Sequence, residues 1–525
     1  MSARLHDPDR GAGGRDIFQV WIPAGSTRTD REVFDIKGTS TSKGPSETAL
    51  RGGIWTTVSR VLVQVIQFGI FMVAVRVMRP EEFGIFALVA ALILFLNQMA
   101  TAGWSEYILH WKGAEDRLRQ TLFLALVAGL VGSALGVSLS FFAHMFSDDP
   151  VVAWLARVLS ASVVFTAVGA TYSGVLIWQG RISVSAICIL TGEMANFAVA
   201  VTSLLQGQGI MALAYGRLAG AIVTCGASMA ASHLRPVVTT QLSLIAEIAV
   251  FSWNIMATRL LVTFRSYAAT LMIGGFMGPA AVGIYRAGQR VVGAFEEILS
   301  EPARILAWSH FRKFHTTATP DQGFDEAARR YFPMLIYCAV PLFTGIAVMA
   351  DDLIRGMLGA DWTAAVPVVQ VLAIAAFIRA SSSASTPILS LVGKVGLLPR
   401  YVLLYSLISI ACISVGAVFG VIATALSEVI AAVIVFVINA RVMRIHADVR
   451  WPAILAGCWP VLPAVLAALP VPYLLIGTGP VAHLHPLVRF VGLGLCMLAV
   501  YAPVIAICDR SLRSAIGRKI RSLAG

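Results

Sequence analysis

Arginine residues occur inside long apolar stretches of this chain, where an isolated cation is energetically unfavourable. The clearest examples are Arg265, Arg286, Arg290 and Arg379. An arginine near the centre of a bilayer costs roughly 2.5–3.5 kcal/mol even on the lenient insertion scale. A guanidinium group forms charge-assisted, often bidentate hydrogen bonds with phosphate oxygens. Because arginines outnumber carboxylates within these stretches, the pattern indicates that a bound anion supplies the missing negative charge.

Helix geometry separates these arginines by depth. Each helical residue rises about 1.5 Å, so Arg265 lies roughly 21 Å below the outer turn of its span. On the next span, Arg286 and Arg290 lie roughly 10 and 16 Å from the outer end and share one helical face. Arg379 lies in the middle of its own span. We therefore predict that these four arginines bind an anion in a central cavity, with pairing to buried glutamates or backbone carbonyls as the alternative.

Two further arginines belong to a repeated segment whose copies lie 199 residues apart. Arg60 stands 20 residues before Pro80, which begins Pro-x-x-x-Gly-Ile-Phe. Arg259 stands 20 residues before Pro279, which begins Pro-x-x-x-Gly-Ile-Tyr. At about 1.5 Å per residue, both arginines lie roughly 30 Å below the outer turn. We expect them at the cytoplasmic entrance of a substrate path, and snorkelling to lipid phosphates is the alternative.

Few carboxylates accompany these cations within the spans. Glu193 is a candidate for ion coupling, and a structural hydrogen bond is its alternative role. Glu428 is a second candidate for ion coupling. It occupies the position in the second half that Arg217 occupies in the first half. Pairing of these two side chains with each other is therefore the alternative. The sequence contains no Walker, HExxH or G-x-S-x-G signature and no helical acidic cluster with metal spacing. We predict no enzymatic activity, no cofactor and no metal site.

The elements that hold these residues follow from the composition. The chain has 525 residues, of which 58% are hydrophobic and 13% charged, and its mean hydropathy is +0.79. Runs of 18 or more mostly apolar residues predict an all-α integral membrane protein with 14 transmembrane helices. The predicted spans are 53–77, 83–108, 120–146, 151–178, 184–205, 208–232, 252–277, 280–305, 330–350, 364–391, 400–419, 421–440, 453–476 and 487–508.

Charge distribution predicts the orientation of these spans. Most of the 40 lysines and arginines fall in alternate connections and in both terminal segments, which the positive-inside rule places in the cytoplasm. Both termini are therefore predicted to be cytoplasmic, which requires an even number of spans. The formal net charge of +12 is explained by this topology and by contact with membrane lipid, so nucleic acid is not an expected partner.

Further matches extend the repeat beyond its opening copies. Gly209-x-x-Ala-x-Ala in span six matches Gly420-x-x-Ala-x-Ala in span twelve, and Gly180 after span four matches Gly393 after span ten. Spans one to six and seven to twelve therefore form two parallel six-helix lobes, followed by two extra C-terminal helices. The predicted domains are a disordered cytoplasmic tail (1–50), an N-lobe (51–235), a C-lobe (236–445), spans 13 and 14 (446–510) and a basic cytoplasmic tail (511–525).

Two motifs resemble a known family. Trp55, Arg60 and Gln64, followed by Arg76-Val-Met-Arg-Pro-Glu-Glu-Phe-Gly-Ile-Phe, are similar to the opening of bacterial Wzx-like O-antigen and exopolysaccharide flippases. The turn Leu358-Gly-Ala-Asp-Trp is similar to a turn of the same family. These proteins belong to the multidrug/oligosaccharidyl-lipid/polysaccharide superfamily, called MOP below. The resemblance covers about residues 50–440.

The resemblance implies two lobes around a cationic cavity that alternate between inward- and outward-facing states. The implied substrate is an undecaprenyl-pyrophosphate-linked oligosaccharide, which crosses the bacterial inner membrane for cell-surface polysaccharide export. Other polysaccharide export and polymerisation proteins are implied partners. Two alternatives stay open: a cation-coupled multidrug antiporter of the same superfamily, and a non-transport component or enzyme of polysaccharide assembly. The lipid II flippase branch is disfavoured, because span one contains no Arg-Asp pair and span two contains no basic residue.

Overall fold

The computed structural model describes residues 47–509, except for 102, 142–148, 240, 318–323 and 478–482, and also describes residue 513. The predicted cytoplasmic tails, 1–50 and 511–525, lie outside the described residues apart from 47–50 and 513. Residues 47–50 belong to the first helix. One compact unit begins at Gly52, within this first helix, and includes the helices that follow.

Every regular element within the described ranges is helical, which agrees with the predicted all-α membrane fold. The helices of the first half are α1 (Glu47–Val77), α2 (Pro80–Thr101), α3 (Trp104–His110), α4 (Glu115–Ser140), α5 (Pro150–Trp178), α6 (Ile182–Leu205) and α7 (Ile210–Ser232). Those of the second half are α8 (Leu242–Met277), α9 (Pro279–Thr317), α10 (Asp325–Val348), α11 (Ala350–Met357), α12 (Val366–Ser381), α13 (Ser385–Leu391), α14 (Leu398–Val418) and α15 (Val421–Ala447). The C-terminal helices are α16 (Trp451–Gly457), α17 (Val461–Ala468), α18 (Val471–Gly477) and α19 (Pro486–Cys508).

Among the described residues, twelve helices are long and apolar enough to cross a membrane. The pair Trp451–Gly457 and Val461–Ile476 adds a thirteenth if it forms one span bent by 46°. The remaining predicted span, 280–305, lies within α9, which is 39 residues and therefore about 58 Å long. This helix carries too many charged residues to be counted by composition alone. The total of fourteen therefore stays a prediction.

Two of the predicted continuous spans are broken in the structure. The span predicted at 453–476 bends before Pro460, because proline lacks the N–H for a helical hydrogen bond and clashes with the carbonyl one turn earlier. The span predicted at 364–391 begins with a 3-10 helix at Ala360–Ala365 and breaks between α12 and α13. At that break the Ser382 hydroxyl donates to the Arg379 carbonyl at 3.1 Å, so a side chain competes with the backbone for a helical acceptor.

Small residues let the helices of the first half approach closely. A Cβ atom added at Gly192 of α6 would lie 1.8 Å from the Thr224 Oγ1 of α7, and one added at Gly216 of α7 would lie 2.7 Å from the Cβ of Ala200. Close approach of this kind drives helix association in membranes, where lipid is as apolar as the side chains. Buried residues of α1, α2, α5, α6 and α7 form one hydrophobic core.

The two copies of the repeat pack against each other. They meet on the side of the molecule that the predicted orientation places outside, which is called the outer side below. A Cβ atom at Gly84 of α2 would lie 1.8 Å from the Pro279 carbonyl oxygen, and one at Gly283 of α9 would lie 1.8 Å from the Pro80 carbonyl oxygen. Only glycine permits two backbones to approach this closely. The repeated Pro-x-x-x-Gly segments thus join the two halves of the molecule across their symmetry axis.

The two motifs that carry the family resemblance also contact each other at the outer side. The Trp362 indole Nε1, which is buried, donates to the Val75 carbonyl at 2.8 Å. The Arg76 Nε donates to the Met357 carbonyl at 2.8 Å, and its Nη2 donates to the Gly356 carbonyl. These bonds join the end of α1 to the end of α11 and to the segment between α11 and α12, so the two halves are in contact at the outer side.

On the inner side, the beginning of α8 contacts the first half through a small hydrophobic cluster, in which Leu244 and Ile248 pack with Tyr107, and through polar groups. Arg259 forms a half-exposed ion pair with Glu106 of α3. Glu247 accepts hydrogen bonds from Tyr107 Oη at 2.9 Å and from Arg117 Nη1 at 2.8 Å. The Arg117 guanidinium holds the pKa of the Glu247 carboxyl below its ordinary value. The inner contacts therefore combine partly exposed ion pairs with a small buried apolar cluster.

Candidate functional site

A cavity of about 940 Å³ lies between the two halves of the molecule. Helices α1, α2, α5, α6 and α7 form one wall, and α8 and α9 form the other. Aromatic rings, amides and hydroxyls line it together with apolar side chains. The charged side chains in the lining are Glu193, Arg217, Arg286, Arg290 and Glu297. The walls therefore carry three cations and two carboxylates, with one net positive charge.

Two of the cavity arginines come from α9, as their spacing predicts. Arg286 and Arg290 are four residues apart and both line the cavity. The Arg286 Nη1 donates to the Gln289 Oε1 at 2.7 Å. Its guanidinium carbon lies 4.4 Å from the centre of the Tyr267 ring on α8, a geometry in which the negative face of the ring attracts the cation. Arg286 is therefore held on two sides by neutral groups.

The third cavity arginine is Arg217 of α7. Its guanidinium carbon lies 6.0 Å from the centre of the Phe86 ring. No carboxylate oxygen in the described ranges lies within 4.0 Å of the guanidinium nitrogens of Arg217, Arg286 or Arg290. The pairing of Arg217 with Glu428 that the sequence allowed is wrong. Glu428 pairs instead with Arg379, which belongs to the second half of the chain, as Glu428 does.

The cavity carboxylate Glu193 is bound by amides. Its Oε1 accepts from the Gln67 Nε2 at 3.2 Å, and its Oε2 accepts from the Asn196 Nδ2 at 3.3 Å. Amides leave the charge of a carboxylate in place, whereas an arginine would neutralise it. Glu193 thus shares the cavity lining with the three arginines, and its role in ion coupling stays a prediction.

The structure places the other predicted arginines outside the cavity lining. Arg379 is bound by two glutamates: its Nη2 lies 2.7 Å from the Glu296 Oε2, and its Nη1 lies 3.3 Å from the Glu428 Oε2. Arg265 is half-buried and does not line the cavity. Of the alternatives for Arg379, pairing with buried glutamates is the one that the structure shows.

Arg60 and Arg259 also lie away from the cavity lining. Arg60 is exposed, and Arg259 forms its ion pair with Glu106 near the inner side. Both positions are compatible with an entrance role, which stays a prediction. Glu428, the second candidate for ion coupling, accepts hydrogen bonds from Tyr285, Gln289 and Arg379.

Sequence reasoning missed three cavity residues that bear on anion binding. Arg217 was recognised as buried in a span but was not expected in the cavity. Gln289 follows Arg286 by three residues and therefore shares its helical face, which is a signal that the sequence does contain. Tyr267 has no comparable signal, because it lies on a neighbouring helix. Within the described part of the chain, no group of three or more metal-ligating side chains is present.

Comparison with known proteins bears on the family and the fold of the chain. The model of a family described as polysaccharide biosynthesis protein matches residues 73–367. The chain is 23% identical over 476 residues to the succinoglycan biosynthesis transport protein ExoT of Rhizobium meliloti (strain 1021), covering 89% of this chain and 94% of the relative. It is 22% identical over 383 residues to the teichuronic acid biosynthesis protein TuaB of Bacillus subtilis (strain 168), covering 71% and 78%.

Solved structures with the same fold are membrane transporters. The lipid II flippase MurJ in an inward closed conformation gives a TM-score of 0.70 at 15% identity, covering 88% of this chain and 99% of that chain. An inward-facing multidrug resistance MATE family transporter of the MOP superfamily gives 0.56 at 12% identity, covering 74% and 95%. At these identities the likeness shows the fold alone. The family model covers more than half of the chain, and the chain therefore belongs to the polysaccharide biosynthesis protein family, with the membrane transporter fold of the MOP superfamily that its motifs predicted.

Proposed function

We propose that the protein is a flippase that moves a polyprenyl-pyrophosphate-linked oligosaccharide across the bacterial inner membrane for export of cell-surface polysaccharide. The observation that carries this proposal is the presence of three arginines in one cavity, none of which has a carboxylate oxygen of the described residues within 4.0 Å of its guanidinium nitrogens. Exposing unpaired cations in the membrane interior is costly. A diphosphate carries two or more negative charges and provides acceptors that match guanidinium donors. A ligand of this kind would offset the cost.

The remaining cavity lining suits an oligosaccharide. The wall from the first half contributes the amides of Asn97 and Gln98 and the rings of Phe83, Phe86 and Phe165. An amide both donates and accepts hydrogen bonds, so it can replace the water around sugar hydroxyls. Aromatic rings provide flat apolar surface within a site that is oriented by a few polar groups. The polyprenyl tail would remain in lipid between the lobes, beside a cavity that holds the polar head.

Transport would proceed by alternating access about this site. The outer side is closed by the contact between Gly84 and Gly283 and by the bonds of Trp362 and Arg76. Release on the outer side would require these outer contacts to separate. Movement of this kind needs no covalent step, so we propose that the protein is not an enzyme. The positive-inside distribution supports cytoplasmic termini.

A cation-coupled multidrug antiporter is the second candidate, since the fold also occurs in the MATE family and the carboxyl group of Glu193 lines the cavity. The three arginines disfavour it, because they would repel a cationic drug. The two proposals therefore differ in the expected charge of the substrate.

The proposal is tested in a strain that lacks the gene and is complemented with single variants. We expect Arg217→Ala, Arg286→Ala and Arg290→Ala each to reduce surface polysaccharide and to accumulate lipid-linked precursor inside. One hydrogen bond to a charged group contributes about 1.5–3 kcal/mol, which corresponds to about 10- to 150-fold in binding. Arg330→Ala is the matched control, because Arg330 forms an exposed ion pair with Glu326 away from the cavity. Unchanged surface polysaccharide in the deletion strain would refute the proposal, and drug sensitivity in its place would favour the antiporter.

A further inference from the structure

One glutamine connects the cavity to a partly buried ionic cluster in the second half. Gln289 lies on α9 and lines the cavity. Its Oε1 accepts from the Arg286 Nη1 at 2.7 Å, and its Nε2 donates to the Glu428 Oε1 at 3.4 Å. We propose that Gln289 is a positioning residue for anion binding, which holds Arg286 in place and leaves its positive charge available to the ligand. This inference rests on the proposed function.

The chemistry of the two neighbours determines how the amide is oriented. A guanidinium group only donates hydrogen bonds, and an ionised carboxylate only accepts them. A side chain that joins Arg286 to Glu428 therefore needs an acceptor at one end and a donor at the other. Glutamine meets this requirement and carries no charge. Glutamate, of the same length, would lack the donor and would bring a second negative charge beside Glu428.

The far end of this connection is held firmly. Glu428 also accepts from the hydroxyl of Tyr285, which is fully buried, and from the Arg379 Nη1 at 3.3 Å. Arg379 is fixed in turn by Glu296, with its Nε 3.0 Å from Oε1 and its Nη2 2.7 Å from Oε2. Satisfied polar networks of this kind are rigid. Gln289 is therefore anchored to a carboxylate that Tyr285 and Arg379 already hold in place.

The near end leaves the arginine ready to bind. Arg286 uses one of its five N–H donors on Gln289, and the face of its guanidinium stacks on Tyr267 at 4.4 Å. The remaining donors are available to an anion. A neutral acceptor fixes the direction of the guanidinium without neutralising it, whereas a carboxylate at the same place would compete with the ligand. This explains why an uncharged side chain occupies position 289 although two charged groups flank it.

The test measures the binding of purified full-length protein in lipid nanodiscs to undecaprenyl pyrophosphate and, separately, to the neutral alcohol undecaprenol. The preference for the diphosphate over the alcohol reports the anion site. We expect Gln289→Leu to reduce this preference about tenfold, with alcohol binding unchanged. Gln289→Glu should reduce it further, because its carboxylate pairs with Arg286 and repels Glu428. Gln289→Asn, which keeps both polar ends on a shorter stem, should restore part of the preference.

The control is Gln179→Leu, because Gln179 makes one comparable bond to the Ser232 carbonyl at 3.3 Å outside the cavity. Its preference should equal that of the wild type. A wild type without preference for the diphosphate would overturn both this inference and the proposed function. A wild type with that preference, together with an equal preference in Gln289→Leu, would overturn the role of Gln289 alone. Loss of both ligands in Gln289→Leu would show structural damage and would also overturn it. If Gln289→Leu does not fold, the test relies on Gln289→Glu. A preference for the diphosphate in Gln289→Glu equal to that of the wild type would then overturn the role of Gln289.

Discussion

Closure of the outer side depends on two glycines that no other residue can replace without moving the lobes. We predict that Gly84→Ala or Gly283→Ala shifts the protein towards an outward-open state. A new Cβ at either position would lie 1.8 Å from a proline carbonyl oxygen, whereas real Cβ atoms essentially never lie closer than 3.0 Å to such an atom. The two backbones must therefore separate by at least 1.2 Å, which is the difference between these distances. The carbonyl is part of the backbone and cannot rotate away as a side chain would.

The energetic consequence falls mainly on the closed state. Overpacking of this kind costs about 1–3 kcal/mol, which corresponds to about 5- to 150-fold in an equilibrium constant. An outward-open state separates α2 from α9 at the outer side and so avoids the clash. Each alanine should therefore expose the cavity to the outside more often and reduce transport.

Labelling of a cavity cysteine with a membrane-impermeant maleimide measures this exposure. The reporter is Ala90→Cys, since Ala90 lines the cavity, in a variant whose seven native cysteines are replaced by alanine. We expect faster labelling from the outside in Gly84→Ala and Gly283→Ala. Gly275→Ala is the matched control, because a Cβ at this helical glycine meets nothing within 4 Å. Equal labelling rates in all three variants would refute the reasoning.

Three further predictions concern stability, measured as the midpoint of thermal unfolding in detergent. Arg489→Ala should destabilise the protein by about 3–5 kcal/mol, because it leaves the charge of Asp352 buried without its partner at 2.7 Å; an unchanged midpoint would contradict this. Trp362→Phe removes the donor to the Val75 carbonyl and should cost about 1–3 kcal/mol, so a rise in the midpoint would count against the outer contact. Arg259→Ala breaks only a half-exposed ion pair and should cost about 1 kcal/mol or less; a loss as large as that of Arg489→Ala would show that this pair is essential.

The helical architecture was predictable because each span is a local property of the sequence. A run of apolar residues long enough to cross the bilayer must satisfy its own backbone hydrogen bonds, which makes it a helix whatever its neighbours are. Breaks within spans were not predicted at Pro460 or near Ser382, since hydropathy averages over a window and does not detect the loss of single hydrogen bonds. Hydropathy also fails for the charged helix α9. Its length of 39 residues indicates a span more clearly than its composition does.

The candidate site was only partly predictable, since spacing along one helix is local but pairing is not. Arg286 and Arg290 share a face of α9 and line the cavity together. Arg379 also lies within a predicted apolar span, as Arg286 and Arg290 do. Two glutamates from other helices nevertheless pair with it, at sequence separations of 83 and 49 residues. Nothing in a single sequence shows which buried arginine receives such a partner. The arginines that have no carboxylate within 4.0 Å among the described residues, and that we propose as the site, are therefore known only from the folded structure.

The repeat shows the same division between sequence and structure. The sequence by itself determined that the chain crosses a membrane many times, that it contains two related halves, and that arginines lie within the spans, because hydropathy, internal similarity and residue type need no knowledge of contacts. Only the tertiary structure decided that the two Pro-x-x-x-Gly segments meet each other, with Gly84 against Pro279 and Gly283 against Pro80. It also decided which cavity arginines have no carboxylate within 4.0 Å in the described part of the chain. Both outcomes depend on which helices become neighbours, and that is a property of the packed molecule as a whole.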